Sequence, residues 1–454
     1  LEEIGYYKRR RILIICPAQL REMWRKECKG VDLPENIMSQ EELATVDFLK
    51  KAEKAVGGKG RLRDVDLIVV DESHNFRNPL SNRWENFFTL VHDNISKDGN
   101  KSNILFLTAT PINNTIWDLY WQIMLLVSMD RRAFIKIGTS DLFKLFKDTE
   151  AKGDPSYLND LLNEISIRRT RDYIQKNYPD AYIMTETPDG ILKEEKVKFP
   201  TRILENIDYK LEDTYKGMYR EIADAISNKL TMAYYRILEY KKQEKRSIEE
   251  EMALGRMIAL EGIFKTILLK RLESSVEAFR KSISNQIKFL NNLKKYLIEG
   301  KLLTKKSFYK YIMKADEELD SVTDELEKFN RKDYKIDELF SDIDKDIVIL
   351  KRLLSKTQQI RPKDDAKLLI FKKRLLELSQ KGQVIIFTYY KDTLDYIYDS
   401  LSIEKKFKKV RIQDISGSTP PTVRSKIVED FFDKEIDVLL STDVLSEGMN
   451  LQSA

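Results

Sequence analysis

Short apolar runs separated by polar, helix-forming stretches set the pattern of the first part of the chain. Residues 12–15, 67–70 and 104–107 contain no polar side chain, and polar or small residues follow each run. A strand that is apolar along its whole length is typical of a parallel sheet with both faces covered. The alternation of such strands with helical segments therefore predicts an α/β fold, with parallel sheets flanked by helices.

The pattern changes between residues 205 and 360, where glycine and proline become rare and charged residues dense. Apolar residues spaced by alternating fours and threes predict a helical hairpin or a coiled coil there. One stripe consists of Ile336, Phe340, Ile343, Ile347, Leu350 and Leu354, and a second consists of Leu319, Val322, Leu326 and Phe329. We expect no strands in this segment, and we expect its charged residues to form a solvated face.

Strand-like runs return near the end of the chain. Residues 384–387 and 438–440 are apolar, and helical patterns lie between them. The chain is therefore predicted to divide into a first α/β domain at residues 1–204, a helical insertion at 205–360 and a second α/β domain at 361–454.

Two carboxylates follow the apolar run at residues 67–70. Asp71 and Glu72 come directly after it, and Ser73 and His74 come next. Because ligands bind at the carboxyl ends of the strands in parallel sheets, this layout is typical of a nucleotide-hydrolysing site. The first carboxylate can hold a magnesium ion, and the second can orient and deprotonate an attacking water. The alternative is a strand that ends in a solvated acidic turn.

A second apolar run ends in a comparable way further downstream. The sequence Thr-Ala-Thr-Pro at residues 108–111 follows the run at 104–107. Its hydroxyl groups can hydrogen-bond the neighbouring acidic loop, and the alternative is a Thr-Pro turn that leads into a helix. The two interpretations are compatible. We expect the helix to begin after a cap at Asn114 or Thr115.

Five segments, taken in order, resemble the motifs of superfamily-two helicases. Residues 71–74 resemble the DEAH-type Walker B box, and residues 108–111 resemble the Thr-Ala-Thr motif III. Residues 12–20 resemble motif Ia, residues 384–388 motif IV and residues 441–452 motif V. The chain is most similar to the Swi/Snf-type translocases, including their bacterial RapA-like members. The resemblance implies two RecA-like lobes with ATP bound between them and nucleic acid across their face.

The resemblance also implies roles for individual residues near the acidic pair. Asp71 would bind ATP and magnesium, and Glu72 would bind ATP and activate the attacking water. His74, Thr108 and Thr110 would act with them in catalysis and couple the nucleotide to the position of the lobes.

Other residues in the matched motifs are expected to bind ligands at some distance from that pair. Motif V would contribute Gly448 and Asn450 to ATP binding. Loop amides and hydroxyls hold phosphates without reading sequence. The residues expected to contact the nucleic-acid backbone in this way are Pro17, Ala18, Gln19, Thr388, Ser441 and Thr442.

Two further segments favour the Swi/Snf branch. Residues 167–171 resemble the double-arginine stretch that closes the first lobe of that family, and the alternative is a basic helix face. Residues 270–275 resemble a segment of the bacterial members, and the alternative is the end of an amphipathic helix.

Composition limits the possible partners and the cellular compartment. The 79 lysines and arginines against 74 aspartates and glutamates leave a net charge of +5, so any nucleic-acid surface must be a local groove. Cys16 and Cys28 fit neither a zinc site nor a disulfide framework, which indicates a reducing compartment. The apolar runs are too short for a membrane span, and no secretory signal opens the chain. We therefore expect a cytoplasmic protein, associated with the nucleoid if it is bacterial.

No Gly-Lys-Thr phosphate loop occurs in the chain, which stops where an arginine-bearing motif VI should follow. We therefore expect an interior fragment that is nearly inactive as an ATPase by itself. The complete protein is predicted to be an ATP-dependent translocase or helicase that uses ATP and magnesium and moves on double-stranded DNA.

Three alternatives remain open. The protein could be another superfamily-two motor, such as a restriction-type or DEAH RNA helicase, or a non-catalytic scaffold of RecA-like lobes. A helical-hairpin interaction protein is the third. We also hypothesise that the helical insertion leans over the nucleic-acid duplex, so that removing residues 280–345 would lower duplex affinity, and it could carry a site for a protein partner.

Overall fold

The computed structural model describes residues 11–95, 102–179, 182–186, 192–196, 201, 203–242, 247–303, 326–442 and 445. Its contacts divide the chain into two compact units, Leu1–Leu204 and Glu205–Ala454. Each unit contains its own parallel sheet. Within the described part of the chain, no helix combines the length and the apolar character needed to cross a bilayer.

A four-stranded parallel sheet with the order β2-β1-β3-β4 forms the centre of the first unit. Its strands are β1 (Arg11–Cys16), β2 (Ile37–Ser39), β3 (Val65–Val70) and β4 (Asn103–Phe106). Side chains alternate between the two faces of β1 and β3, and both faces are covered by apolar residues of the flanking helices. The prediction of fully buried strands is confirmed for β1 and β3. Strand β4 lies at the edge, where Leu105 is nearly half exposed.

Among the described residues of the first unit, eight α-helices and one hairpin accompany the sheet. The helices are α1 (Arg21–Gly30), α2 (Gln40–Leu43), α3 (Phe48–Ala55), α4 (Asn82–Phe88), α5 (Trp117–Leu126), α6 (Leu142–Lys152), α7 (Asn159–Ile165) and α8 (Arg171–Asn177). Strands β5 (Tyr182–Glu186) and β6 (Leu192–Lys196) pair in antiparallel fashion. Residues 168–169 of the double-arginine segment are exposed just before α8, which is compatible with a basic surface.

The start of α5 differs from the prediction. Neither Asn114 nor Thr115 caps the helix through its side chain, because α5 begins at Trp117. Instead, the carboxylate of Asp118 accepts hydrogen bonds from the backbone amides of Asn113 and Asn114, at 3.0 and 2.7 Å. The carboxylate therefore satisfies the amide groups from inside the first turn rather than from in front of it.

The second unit contains a three-stranded parallel sheet with the order β10-β11-β9. Strands β9 (Val384–Phe387), β10 (Ile412–Ile415) and β11 (Val438–Ser441) alternate with α14 (Ala366–Ser379), α15 (Lys391–Ser402) and α16 (Pro421–Phe432). The central strand β11 is buried along its whole length, and apolar clusters cover both faces of the sheet. The predicted fold class, parallel sheets flanked by helices together with a large helical segment, is confirmed.

Long helices dominate residues 205–360. Two short helices, α9 (Leu211–Tyr215) and α10 (Met218–Asp224), precede the long helices α11 (Ile248–Ser274), α12 (Val276–Ile298) and α13 (Ile336–Gln358). The expectation that this segment lacks strands is wrong, because β7 (Lys301–Leu303) and β8 (Leu326–Lys328) form a short antiparallel pair. Of the second predicted stripe, Leu319 and Val322 lie outside the described residues, and Phe329 is buried.

The first predicted stripe lies on α13 and packs into the largest apolar core formed by the described residues. Ile343, Ile347 and Leu350 are buried there against α12 and its neighbours. The charged residues do not all form a solvated face, since Asp346 is buried on the same side and accepts two hydrogen bonds from Thr231, at 2.7 and 3.0 Å. Removing residues 280–345 would take away much of this core, so that deletion cannot test nucleic-acid binding.

Candidate active site

Asp71 and Glu72 follow the carboxyl end of β3, as the sequence predicts. The Asp71 amide donates to the carbonyl of Ile15 at the end of β1, and the Ser73 amide donates to the carbonyl of Leu107 after β4, both at 2.9 Å. Between them, Glu72 has a left-handed backbone with φ 49° and ψ 50°. A 3₁₀ turn, Ser73–Phe76, follows directly. The loop is therefore held by both neighbouring strands and contains one strained residue.

Both oxygens of the Asp71 carboxylate accept hydrogen bonds. The Glu72 amide donates to Oδ1 at 2.9 Å, and the indole N–H of Trp24 donates to Oδ2 at 2.8 Å. The side-chain amide of Gln40 donates to the Asp71 carbonyl at 2.6 Å. Sequence reasoning missed Trp24 because it lies inside an amphipathic helix, and it missed Gln40 because the strand before it, β2, is only three residues long and lacks the long apolar run that marked β3.

A second contact chain joins Glu72 to the threonine segment. Nδ1 of His74 lies 3.2 Å from Oε2 of Glu72 and 3.1 Å from Oγ1 of Thr108. Thr108 Oγ1 also accepts from the Thr110 amide at 3.1 Å. The structure thus brings together the acidic pair and the three residues expected beside it, Thr110 through its backbone amide.

Ser73 links the same loop to helix α5. Its buried hydroxyl donates to Oε1 of Gln122 at 3.0 Å. The amide of Gln122 in turn donates to the carbonyls of Pro111 and Asp118, at 2.8 and 2.9 Å. One glutamine therefore fixes the turn after Thr110 and the loop after β3 to each other, an arrangement that the sequence pattern did not reveal.

The environment of Asp71 is compatible with a magnesium ion. Mg²⁺ is usually bound by one or two carboxylates together with waters and phosphates rather than by an all-protein cage. Among the described residues no group of three or more His, Cys, Asp or Glu side chains could hold a metal. A carboxylate has about four acceptor sites, so the two hydrogen bonds to Asp71 leave capacity for a cation. Burial and the neighbouring Asp71 charge raise the pKa of Cys16 to about 12, which keeps that thiol neutral beside the site.

The residues after β1, expected to contact a nucleic-acid backbone, differ in their accessibility. Pro17 is buried, whereas Ala18 and Gln19 are exposed. The Ala18 amide already donates to Oε2 of Glu41 at 3.0 Å. A phosphate would have to displace the Glu41 carboxylate to reach the Ala18 amide. The exposed Gln19 side chain is therefore more accessible to a phosphate than the Ala18 amide is.

In the second unit, Thr388 and Ser441 end adjacent strands. The Thr388 amide donates to the Ser441 carbonyl at 2.9 Å, and the Thr388 hydroxyl donates to the carbonyl of Tyr390 at 3.1 Å. Ser441 is fully buried and donates to the Thr442 carbonyl at 2.7 Å, and Thr442 is almost fully buried. Gly448 and Asn450 lie outside the described residues.

Residues 270–275 join the helical segment to the second sheet. The guanidinium of Arg271 pairs with the Asp392 carboxylate and lies 4.6 Å from the centre of the Tyr390 ring. The hydroxyls of Ser274 and Ser275 contact Oγ1 of Thr393, at 2.8 and 2.9 Å. The helix-end interpretation is confirmed, since α11 ends at Ser274. The segment also fixes the first turn of α15 through Asp392 and Thr393, and the loop after β9 through Tyr390.

This loop borders a recess of about 380 Å³ at the carboxyl end of β9. Its walls combine apolar side chains with hydroxyl groups and one amine. Among the lining residues are Ser274, Lys367, Phe371, Thr388, Thr393 and Tyr396. The amine of Lys367 donates to the carbonyls of Glu273 and Ser274, and burial lowers its pKa.

Most of the last part of the second unit is similar to a known helicase domain. Residues 366–454 match the Helicase conserved C-terminal domain. The matched region contains β9, β10 and β11 with their helices, and therefore Thr388 and Ser441.

Curated relatives extend the similarity to most of the chain. A Drosophila melanogaster protein, the SWI/SNF-related matrix-associated actin-dependent regulator of chromatin subfamily A containing DEAD/H box 1 homolog, is 24% identical over 87% of this chain. The ATP-dependent helicase fft2 of Schizosaccharomyces pombe is 24% identical over 86%. The chain spans 39% and 26% of the lengths of these two relatives. Together with the domain match, these relatives show that the chain is similar to ATP-dependent helicases, one of them SWI/SNF-related by name.

Solved structures give weaker matches. The Hef helicase domain of Pyrococcus furiosus is 14% identical with a TM-score of 0.32, covering 97% of this chain and 78% of that one. The SWI2/SNF2 ATPase core of Sulfolobus solfataricus, in complex with double-stranded DNA, is 15% identical with a TM-score of 0.28, covering 100% and 72%. TM-scores this low do not establish a shared arrangement of the whole chain.

Proposed function

We propose that this chain is the core of an ATP-driven translocase of the Snf2 type that moves on double-stranded DNA. Residues 1–204 and 361–454 would form its two RecA-like lobes, with the helical segment 205–360 between them in sequence. The observation that carries the proposal is the contact chain from Glu72 through His74 to Thr108 at the carboxyl end of a parallel sheet. Ligands bind at that end of such sheets.

In this proposal the acidic pair divides the chemistry of ATP hydrolysis. A magnesium ion held by Asp71 would neutralise charge on the phosphates. The Glu72 carboxylate would orient the attacking water and accept its proton. His74 contacts that carboxylate and Thr108, which follows β4. The three side chains would therefore move together when the nucleotide changes. Ionised Glu72 is the competent form, because only the carboxylate can accept a proton.

Duplex DNA is the nucleic acid on which we propose that the translocase moves, and RNA is the second candidate for that role. The two relatives that align with most of the chain are a regulator of chromatin and a helicase by name. In favour of RNA, the DEAD-box ATP-dependent RNA helicase 38 of Oryza sativa is 34% identical, but only over 21% of the chain. Backbone contacts by Gln19 and Thr388 would serve either polymer, since phosphate contacts carry no sequence information.

The deciding experiment measures ATP turnover of the complete protein with duplex DNA, single-stranded DNA and RNA in turn. We expect duplex DNA to stimulate turnover most. Glu72→Gln should retain ATP binding and lose about 10²- to 10⁴-fold of turnover. The matched control is Glu85→Gln, an exposed glutamate on α4, which should behave as the wild type. Undiminished turnover of the Glu72 variant would remove that residue from the role of base.

The cellular setting and a protein partner are also proposals. Two free, buried cysteines are compatible with a reducing compartment such as the cytoplasm. On α13, Val348 is an exposed apolar residue that faces away from the helical core, and it is the place where a protein partner of the helical segment would be sought first.

A further inference from the structure

Trp24 forms a contact with the acidic pair that the motif comparison does not assign. The residue lies on α1 and is 9% exposed. Its indole N–H donates to Oδ2 of Asp71 at 2.8 Å, across a sequence separation of 47 residues. An indole nitrogen only donates, so the direction of this hydrogen bond is fixed whatever the protonation state of its surroundings.

Gln40 holds the main chain of the same aspartate. The side chain is buried, and its Nε2 donates to the Asp71 carbonyl at 2.6 Å. Its Oε1 accepts from the Arg83 guanidinium at 3.1 Å. Because a guanidinium only donates, Oε1 must face Arg83, and the amide N–H groups must face the carbonyl. The peptide before the strained residue Glu72 is therefore clamped from α2.

We propose that Trp24 is a positioning residue for the cation site, which holds the Asp71 carboxylate in one orientation, with Gln40 holding the backbone beneath it. This inference rests on the proposed function. With Oδ1 bound by the Glu72 amide and Oδ2 by Trp24, the carboxylate cannot rotate without losing two hydrogen bonds. Outer-sphere partners of metal ligands act in this way, and their loss typically lowers metal affinity by about 10- to 100-fold.

The test compares Trp24→Phe with Trp84→Phe in the complete protein. Trp84 is 8% exposed, and its indole donates to the carbonyl of Trp121 at 3.2 Å, so its replacement removes an equally buried indole hydrogen bond elsewhere in the same unit. The probe is Mn²⁺ together with the non-hydrolysable ATP analogue AMP-PNP, and bound Mn²⁺ is measured by electron paramagnetic resonance. We expect Trp24→Phe to weaken Mn²⁺ binding about 10-fold and Trp84→Phe to leave it unchanged.

Two further measurements separate positioning from general damage. In an Asp71→Asn background, Trp24→Phe should have no additional effect on Mn²⁺ affinity, because the carboxylate that the indole orients is gone. In the otherwise unaltered protein labelled with 5-fluorotryptophan, the probe should shift the ¹⁹F resonance of residue 24 and leave that of residue 84 in place. This second measurement needs no core substitution, so it remains decisive if Trp24→Phe fails to fold.

The outcomes distinguish this inference from the proposed function. Equal Mn²⁺ affinity of Trp24→Phe and wild type, or an unmoved ¹⁹F resonance at residue 24, would overturn the positioning role while leaving nucleic-acid-stimulated ATP turnover intact. A protein that shows the expected Mn²⁺ pattern but no turnover with any nucleic acid would overturn the motor function alone. A wild type that neither binds the probe nor turns over ATP would overturn both.

Discussion

Arg271 is a charged residue in an unusual position, since it is 1% exposed in the second unit. Its guanidinium pairs with Asp392, which is 3% exposed, and its Nε donates to the carbonyl of Ala278 at 3.2 Å. Replacement by Met keeps an unbranched apolar side chain and removes the charge. The other oxygen of Asp392 would still lie 2.6 Å from the amine of Lys281. We therefore expect Arg271→Met to destabilise the second unit, with part of the loss offset by Lys281.

The expected loss follows from the energetics of buried ion pairs. Removing one partner of such a pair costs about 3–5 kcal/mol of folding free energy. Because the half-exposed Lys281 still contacts the Asp392 carboxylate, we expect a loss near the lower end of that range. Each kcal/mol lowers the melting temperature of a 150- to 250-residue domain by about 2–4 °C, so a loss of ~3 kcal/mol corresponds to roughly 6–12 °C. The double variant Arg271→Met/Asp392→Leu should recover most of this loss, because apolar replacement of a buried pair is often nearly neutral.

Two spectroscopic signals report on the two units separately in this 454-residue chain. All four tryptophans, Trp24, Trp84, Trp117 and Trp121, lie in the first unit, whereas far-UV circular dichroism is weighted towards the long helices of the second. In Arg271→Met, the melting temperature followed by circular dichroism should fall, and the melting temperature followed by tryptophan fluorescence should not change. As a control, Arg352→Met removes a surface guanidinium that pairs with Glu221 and should leave both transitions unchanged. An Arg271→Met protein as stable as the wild type would refute the buried-pair interpretation.

Three further predictions concern the thiol of Cys16, the carboxyl group of Asp346 and the backbone at Glu72. Burial raises the pKa of Cys16 to about 12, so thiol reagents at pH 8 should label it only after unfolding, and rapid labelling of the native protein would contradict this. Burial also raises the pKa of Asp346. The folded state therefore binds a proton on the Asp346 carboxylate more tightly than the unfolded state. As the pH falls from 7 towards 4, the free energy of unfolding of the wild type should rise relative to that of Asp346→Asn. The same pH dependence in both proteins would disprove this. At the left-handed position 72, Glu72→Gly should be more stable to urea than Glu72→Ala by about 1 kcal/mol, and an equally stable alanine variant would argue against backbone strain.

The sequence predicted the strands and their ends because those features depend on local patterns. A run of apolar residues with no polar interruption marks a strand covered on both faces, and β1, β3 and β11 follow that rule. The parallel pairing then places the polar residues that follow β3 and β4 at one edge, which brings Glu72, His74 and Thr108 together. Predictions of this kind need only the period of the pattern and the direction of the strands.

Contacts between distant segments could not be predicted in the same way. Trp24 and Gln40 reach Asp71 over separations of 47 and 31 residues, and nothing in their local sequence distinguishes them from ordinary helix residues. Arg271 and Asp346 read as solvated charges in an amphipathic pattern, but both are buried. Charge predicts exposure only on average, so a buried ion or a buried carboxylate with two hydrogen bonds emerges only from the packed structure.

The backbone at Glu72 bears on the choice between a functional site and a solvated acidic turn. A non-glycine residue in the left-handed region costs about 1–3 kcal/mol and persists only where its surroundings hold it there. Here the flanking residues Asp71 and Ser73 are fixed by β1, by the loop after β4 and by Gln40. A turn that served only to end a strand in water would need none of these hydrogen bonds and would relax to an unstrained conformation. The strained geometry therefore favours a positioned carboxylate, and it does so independently of any resemblance to helicases.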